Sequence, residues 1–104
     1  MNSITMQQMR ERAPQAAAFL KGLANIDRLM ILCRLAEGEA CVSDLIAATG
    51  IAPASMSQHL AKLREEGIVA FRREHRTLFY HIDHPATLAV MGLLHAHFCK
   101  GEES

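Results

Sequence analysis

The sequence predicts a mainly α-helical domain carrying one β-hairpin, and three observations predict it. Residues Ala54 to Arg64 form a helix whose outer positions are Ser55, Ser57, Gln58, His59, Lys62 and Arg64. Those side chains hydrogen-bond to base edges and phosphates. Immediately before it, Leu45-Ile46-Ala47-Ala48 reads as a short helix stopped by Gly50, so two short helices flank a tight glycine-containing turn. Immediately after it, Ile68 to Arg73 and Thr77 to Ile82 read as two strands joined by the charged turn Glu74-His75-Arg76. In that order the elements outline a winged helix-turn-helix.

The chain is 104 residues long, which suits one domain over 1–104. Residues 1–12 are polar and are expected to form an N-terminal extension. Residues 13–24 form an alanine-rich helix in which Ala17, Leu20, Leu23 and Ala24 recur at helical spacing. Asn25 is placed as an N-cap, with Asp27 in the first turn where a carboxylate complements the helix dipole. That second helix runs to about Ala36, with Leu29, Met30, Leu32, Cys33 and Ala36 on an apolar side, and Glu37-Gly38-Glu39 ends it. Ser43 and Asp44 open the helix-turn-helix, which spans 43–66; Gly50 is its left-handed C-terminal residue and Pro53 suits the first turn of the recognition helix. The wing spans 68–82. A last helix over 85–100 starts at Asp83-His84-Pro85 and repeats Leu88, Met91, Leu94, His95 and Phe98. The first and last helices carry more apolar surface than so small a motif requires, which makes them the expected homodimer interface.

Formal charge is zero, so placement of charge matters more than its sum. Over 1–53 the charges cancel. Over 54–76, Lys62, Arg64, Arg72, Arg73 and Arg76 face only Glu65, Glu66 and Glu74, and the surplus sits where phosphates would lie. No apolar run reaches the roughly 18 residues of a membrane span, so a cytoplasmic protein with no membrane partner is expected. In a reducing compartment, three cysteines point to buried thiols, metal ligands or redox chemistry rather than a disulfide framework. No glycine-rich phosphate loop and no Gly-x-Ser-x-Gly elbow is present, so neither an enzyme nor a cofactor is expected.

A recognition helix enters the major groove with its N-terminal residues on base edges. Ser55, Ser57, Gln58 and His59 occupy that stretch, while Leu60 and Leu63 face inward. Gln58 suits adenine. Lys62 and Arg64 are expected on phosphate, and Arg72, Arg73 and Arg76 on phosphate or the minor groove. A protein-docking module of the same outline would differ in lacking a steep salt dependence.

From Leu20 to Cys99 the chain resembles the ArsR-type winged-helix repressors. The likeness lies in Leu20-Lys21-Gly22-Leu23-Ala24-Asn25, Arg28-Leu29, Ser57-Gln58-His59-Leu60, Leu63-Arg64, Gly67-Ile68-Val69 and Phe79-Tyr80. The resemblance implies a homodimer that releases double-stranded operator DNA when an inducer binds, the inducer being a metal ion, an oxidant or a reactive sulfur species. Metal sensors of this kind carry Cys-Val-Cys where this chain has Cys41-Val42-Ser43, which leaves one thiolate where tight thiophilic binding needs two or three. Asp83, His84, His95 and His97 hint at a second metal site, yet they are out of register. His95 and His97 diverge by about 200° around a helix. The alternative is a metal-ion-responsive repressor of the same family using His and Cys ligands, with no residue assigned as a ligand.

Cys33, together with a final helix ending His97-Phe98-Cys99, resembles the sulfide-responsive branch of that family, which senses persulfide or polysulfide through a cysteine pair. A thiol that takes up sulfur can be resolved by a second thiol into a bridge of two or more sulfurs. Extra sulfurs lengthen the reach beyond the roughly 7 Å between Cα atoms that a plain disulfide tolerates. Taken alone, Cys33 reads as a core thiol beside Leu29, Met30 and Ala36. Cys99, next to Lys100 at a polar end, has less claim to burial, and Cys41 is expected to be a bystander.

Overall fold

The computed structural model describes residues 5–99. Its elements run α1 (Met6–Leu23), α2 (Ile26–Leu35), β1 (Ala40–Cys41), α3 (Val42–Thr49), α4 (Pro53–Glu65), β2 (Val69–Glu74), β3 (Thr77–Ile82) and α5 (Pro85–Phe98). No helix among the described residues is long and apolar enough to cross a membrane.

The first helix begins seven residues earlier than expected, so most of the anticipated N-terminal extension is helical. Its cause is a capping box. Thr5 Oγ1 accepts from Gln8 N at 3.0 Å, and Thr5 N donates to the Gln8 side chain at 3.3 Å, which satisfies two orphan donors. Residues 1–4 of the extension lie outside the described residues. Pro14 sits inside α1 and removes one backbone donor there, which the exposed Arg10 carbonyl can make up with water. Along α1, Met6, Met9, Ala13, Ala16 and Leu20 recur at alternating spacings of three and four, the pattern of a helix-packing seam. Met6, Met9 and Leu20 are exposed on the protomer.

Asn25 caps α2 as expected, its side chain accepting from Arg28 N at 3.1 Å. The apolar side of α2 is divided. Ile31, Leu32 and Leu35 enter the core, whereas Ile26, Met30 and Cys33 form a second apolar stripe on the outside. The reading of Cys33 as a core thiol is therefore corrected: it is exposed, because Ile31, Leu32 and Leu35 rather than Met30 and Ala36 fill the interior.

β1 is an element that alternation could not reveal, since two residues have no period. It pairs antiparallel with β3, Ala40 opposite Tyr80 and Cys41 opposite Phe79, and gives the sheet order β1-β3-β2. α3 thereby starts at Val42, one position earlier than the Ser43 start expected, with Cys41 just before it and the Cys41 N–H directed to Asp44 Oδ2 at 3.4 Å. The wing turn is also tighter than expected. Glu74 pairs with Thr77, which leaves His75 and Arg76 to turn the chain, and His75 adopts the left-handed region at φ 58°.

The core lies between α2, α3, α4 and the inner face of the sheet, where Leu45, Met56, Leu60, Leu63, Ile68 and Val69 are buried with the α2 residues. Gly50 closes α3 at φ 74°. The end of α1 packs against side chains of the turn after α4: a Cβ on Gly22 would stand 2.7 Å from both Ile68 Cδ1 and Glu66 Oε1. His84 caps α5, accepting from Ala86 N at 3.1 Å, and stacks on Phe19 with ring centroids 4.4 Å apart, which ties α5 to α1. Lys100, the expected last residue of α5, lies outside the described residues; the helix ends at Phe98.

Candidate nucleic-acid interface and thiol groove

α4 buries Met56, Leu60 and Leu63, a stripe at helical spacing, and this fixes what the opposite face presents. Ser55, Ser57, Gln58, Lys62 and Arg64 are all exposed. Ser55, Gln58 and Lys62 follow one another at spacings of three and four, so they share one face.

His59 differs from these in being only partly exposed and having partners within the protomer. Its Nδ1 accepts from Arg28 Nε at 3.4 Å, and its Nε2 lies 3.4 Å from Asp27 Oδ2. It is turned toward α2, because it sits between the outward Gln58 and the inward Leu60. Arg28 extends the same tie: Nη1 donates to the Gly22 carbonyl at 3.2 Å and lies 3.8 Å from Glu66 Oε1. One side chain thus joins α1, α2 and α4. Sequence reading placed Arg28 only in a shared pattern; the contact that explains it spans 31 residues.

On the wing, Arg72 is occupied. It bonds Glu39 at 2.6 and 3.0 Å and Glu74 at 2.7 Å, and it lies 4.7 Å over the Phe79 ring. The hydrogen bonds it donates to Glu39 and then to Glu74 raise its pKa further, and accepting from Arg72 holds the Glu39 carboxyl below its ordinary value. Through these contacts Arg72 fastens the loop before β1 to the wing. Arg73 and Arg76 are exposed. Arg64 packs its guanidinium 4.3 Å from the Phe71 ring centre, linking the recognition helix to β2.

The second feature is a groove of about 400 Å³ between α2 and α5. Leu29, Met30 and Cys33 line one wall, and Leu94, Phe98 and Cys99 the other, with apolar surface throughout. Both cysteines are exposed free thiols. Cys41 is remote from this groove, with its sulfur 3.2 Å from Ser43 Oγ beside the wing. Among the described residues no three His, Cys, Asp or Glu side chains converge as a metal site.

A recognition helix seated on a helix-turn scaffold, with a two-stranded wing beside it, defines a winged helix-turn-helix DNA-binding domain. Residues 26–70 match the family model described as "Bacterial regulatory protein, arsR family". The chain is 41% identical over 101 residues to the biofilm growth-associated repressor of Agrobacterium fabrum, covering 97% of this chain and 86% of that protein. It is 35% identical over 100 residues to the transcriptional activator HlyU of Vibrio cholerae, covering 96% of this chain and 93% of the relative. A solved structure of reduced HlyU superposes with a TM-score of 0.84 at 37% identity, over 90% of this chain and 99% of that one. The repressor BigR from Xylella fastidiosa superposes with a TM-score of 0.86 at 38% identity, over 92% and 98%. The chain belongs to the ArsR family. It is a transcriptional regulator rather than an enzyme.

Proposed function

We propose that this regulator is a homodimeric repressor that senses persulfide or polysulfide through Cys33 and Cys99 and leaves operator DNA when the two become bridged. The observation that carries this reading is that both thiols line one apolar groove although 66 residues separate them. A thiolate attacks the outer sulfur of a small persulfide, RS–SH, giving protein S–SH and releasing RS⁻. The thiol of the other cysteine then attacks the inner sulfur, forming the S–S bond and expelling sulfide as H₂S. If both cysteines carry the extra sulfur first, the same displacement leaves a three-sulfur bridge and one H₂S. In either case the inducer is the oxidant.

The coupling to DNA runs through α2. A bridge fastens α5 to α2, and α2 holds α4 through Arg28, Asp27 and His59. Two reading heads must match half-sites about 34–36 Å apart, so a small rotation of α4 removes the match. Couplings of about 1–3 kcal/mol change affinity roughly 5- to 150-fold.

Intact mass spectrometry after glutathione persulfide, hydrogen peroxide or zinc, paired with operator binding, tests this. Wild-type protein should gain a bridge mass with persulfide and release DNA, whereas Cys33→Ser and Cys99→Ser should stay bound. Release by both serine variants would remove the dithiol mechanism, and release by zinc alone would favour the metal-responsive alternative.

For DNA reading we assign Ser55, Ser57 and Gln58 to bases, and Lys62, Arg64, Arg73 and Arg76 to the backbone, with His59 and Arg72 holding the frame. Gln58→Ala should weaken operator binding by about 1–3 kcal/mol and leave random-sequence binding nearly unchanged. Arg73→Ala should weaken both and flatten the salt dependence. Equal effects of the two substitutions on specificity would contradict this division.

A further inference from the structure

The charges of the N-terminal half cancel in sequence but not in space. Lys21 from the end of α1, Arg28 from α2 and Lys62 from α4 line one pocket of about 410 Å³, together with Asn25 and Glu66. Three cations meet one carboxylate there. Glu66 lies against Arg28 at 3.8 Å and leaves Lys21 with no carboxylate in ion-pairing range among the described residues. Lys62 has Glu65 at 3.9 Å, but both side chains are at least half exposed, so the pair is screened and readily exchanged. Asp27, the other nearby carboxylate, is turned to His59.

The position of the pocket matters as much as its charge. Lys62 is one turn beyond Gln58 on the outward face of α4, so the pocket opens at the edge of the surface assigned to DNA. A duplex with its bases against Ser55 and Gln58 carries a backbone along that edge. We propose that Lys21, Lys62 and the partly neutralised Arg28 form a cradle for one phosphodiester of duplex DNA, flanking the major groove that α4 enters. Lys21 and Lys62 would contact the phosphate oxygens, while Arg28, held by the Gly22 carbonyl and His59, supplies fixed positive charge behind them. The cradle accounts for how a chain of zero net charge concentrates a positive field beside its reading helix. It rests on α4 facing DNA and does not depend on the thiol mechanism.

The test measures full-length protein binding to a random-sequence 30-base-pair duplex by fluorescence anisotropy across a salt series. Lys21 is exposed, so Lys21→Gln should fold normally. It is expected to weaken binding about 3- to 10-fold at low salt and to reduce the salt slope by about one, the share of one phosphate. Lys21→Arg should restore both. Glu66→Gln removes the opposing carboxylate and should tighten binding. An unchanged slope in Lys21→Gln with intact wild-type binding would overturn the cradle alone. Saturable binding of inorganic phosphate by wild type, lost in Lys21→Gln without any change in DNA slope, would overturn it in favour of a small-anion site. Failure of wild type to bind the duplex would overturn the cradle and the DNA face together.

Discussion

Replacing Arg28 by alanine is expected to lower the unfolding free energy by about 2 kcal/mol, roughly 8–16 °C in Tm for a domain of this size. The side chain is only 19% exposed and reaches three elements: the Gly22 carbonyl on α1, His59 on α4 and Glu66 beyond α4. Two of these contacts are long, at 3.4 and 3.8 Å, so most of the loss comes from the bond to the Gly22 carbonyl and from leaving Glu66 and His59 without their cation. Arg28→Lys should recover little, because one ammonium cannot serve two directions that a planar guanidinium spans. Urea unfolding at fixed protein concentration measures the change. A loss below about 0.5 kcal/mol would mean the tie is incidental. The same variant should hold α4 more loosely, so operator affinity should fall more than random-sequence affinity.

That tie also shows where sequence reading stops. The recognition helix is legible from its polar outer positions, with Leu60 and Leu63 inward, and Gly50 and Pro53 punctuate it as local rules require; the structure adds Met56 to the buried side. The wing is legible as two strand-forming runs joined by a charged turn. The two thiols were paired by resemblance, and burial logic alone would have hidden Cys33 in the core. What could not be read were features set by contacts between distant segments. β1 exists only because Ala40 and Cys41 meet β3. Arg72 looked like a free wing cation, yet Glu39, 33 residues away in sequence, claims it. His59 reads in sequence as an outward position of α4, and its contacts with Asp27 and Arg28 come from α2, about 30 residues earlier. Charge bookkeeping along the chain missed Lys21 for the same reason. The start of α1 is different: the Thr5–Gln8 capping box is a local signal, present in the sequence and overlooked because the following residues are polar.

Leu20→Glu is expected to convert the protein to a monomer and to weaken operator binding by about 10²- to 10⁴-fold, the avidity that linked half-site recognition supplies. Leu20 is 56% exposed on the protomer and continues the seam of Met6, Met9, Ala13 and Ala16 along α1. Among the described residues, Met6, Met9, Ala16 and Leu20 of this seam are exposed on the protomer. α5 presents the complementary fact, being apolar nearly all round, with Leu88, Leu93 and Phe98 exposed. A helix of that composition is stable in water only when both sides are covered. One side packs on β3 and α2, and a second copy of the chain, meeting it across a twofold axis with α1, would cover the other. Burying a leucine there is worth about 1.5–3 kcal/mol, and a carboxylate in its place adds a desolvation cost on both protomers. Leu20→Lys serves as the control, since it reverses the added charge. If both variants sediment as monomers, retain their helical circular dichroism and lose operator affinity while keeping weak random-sequence binding, the loss comes from separated reading heads rather than from repulsion of phosphate. A dimer that persists in both variants would place the interface elsewhere on the molecule.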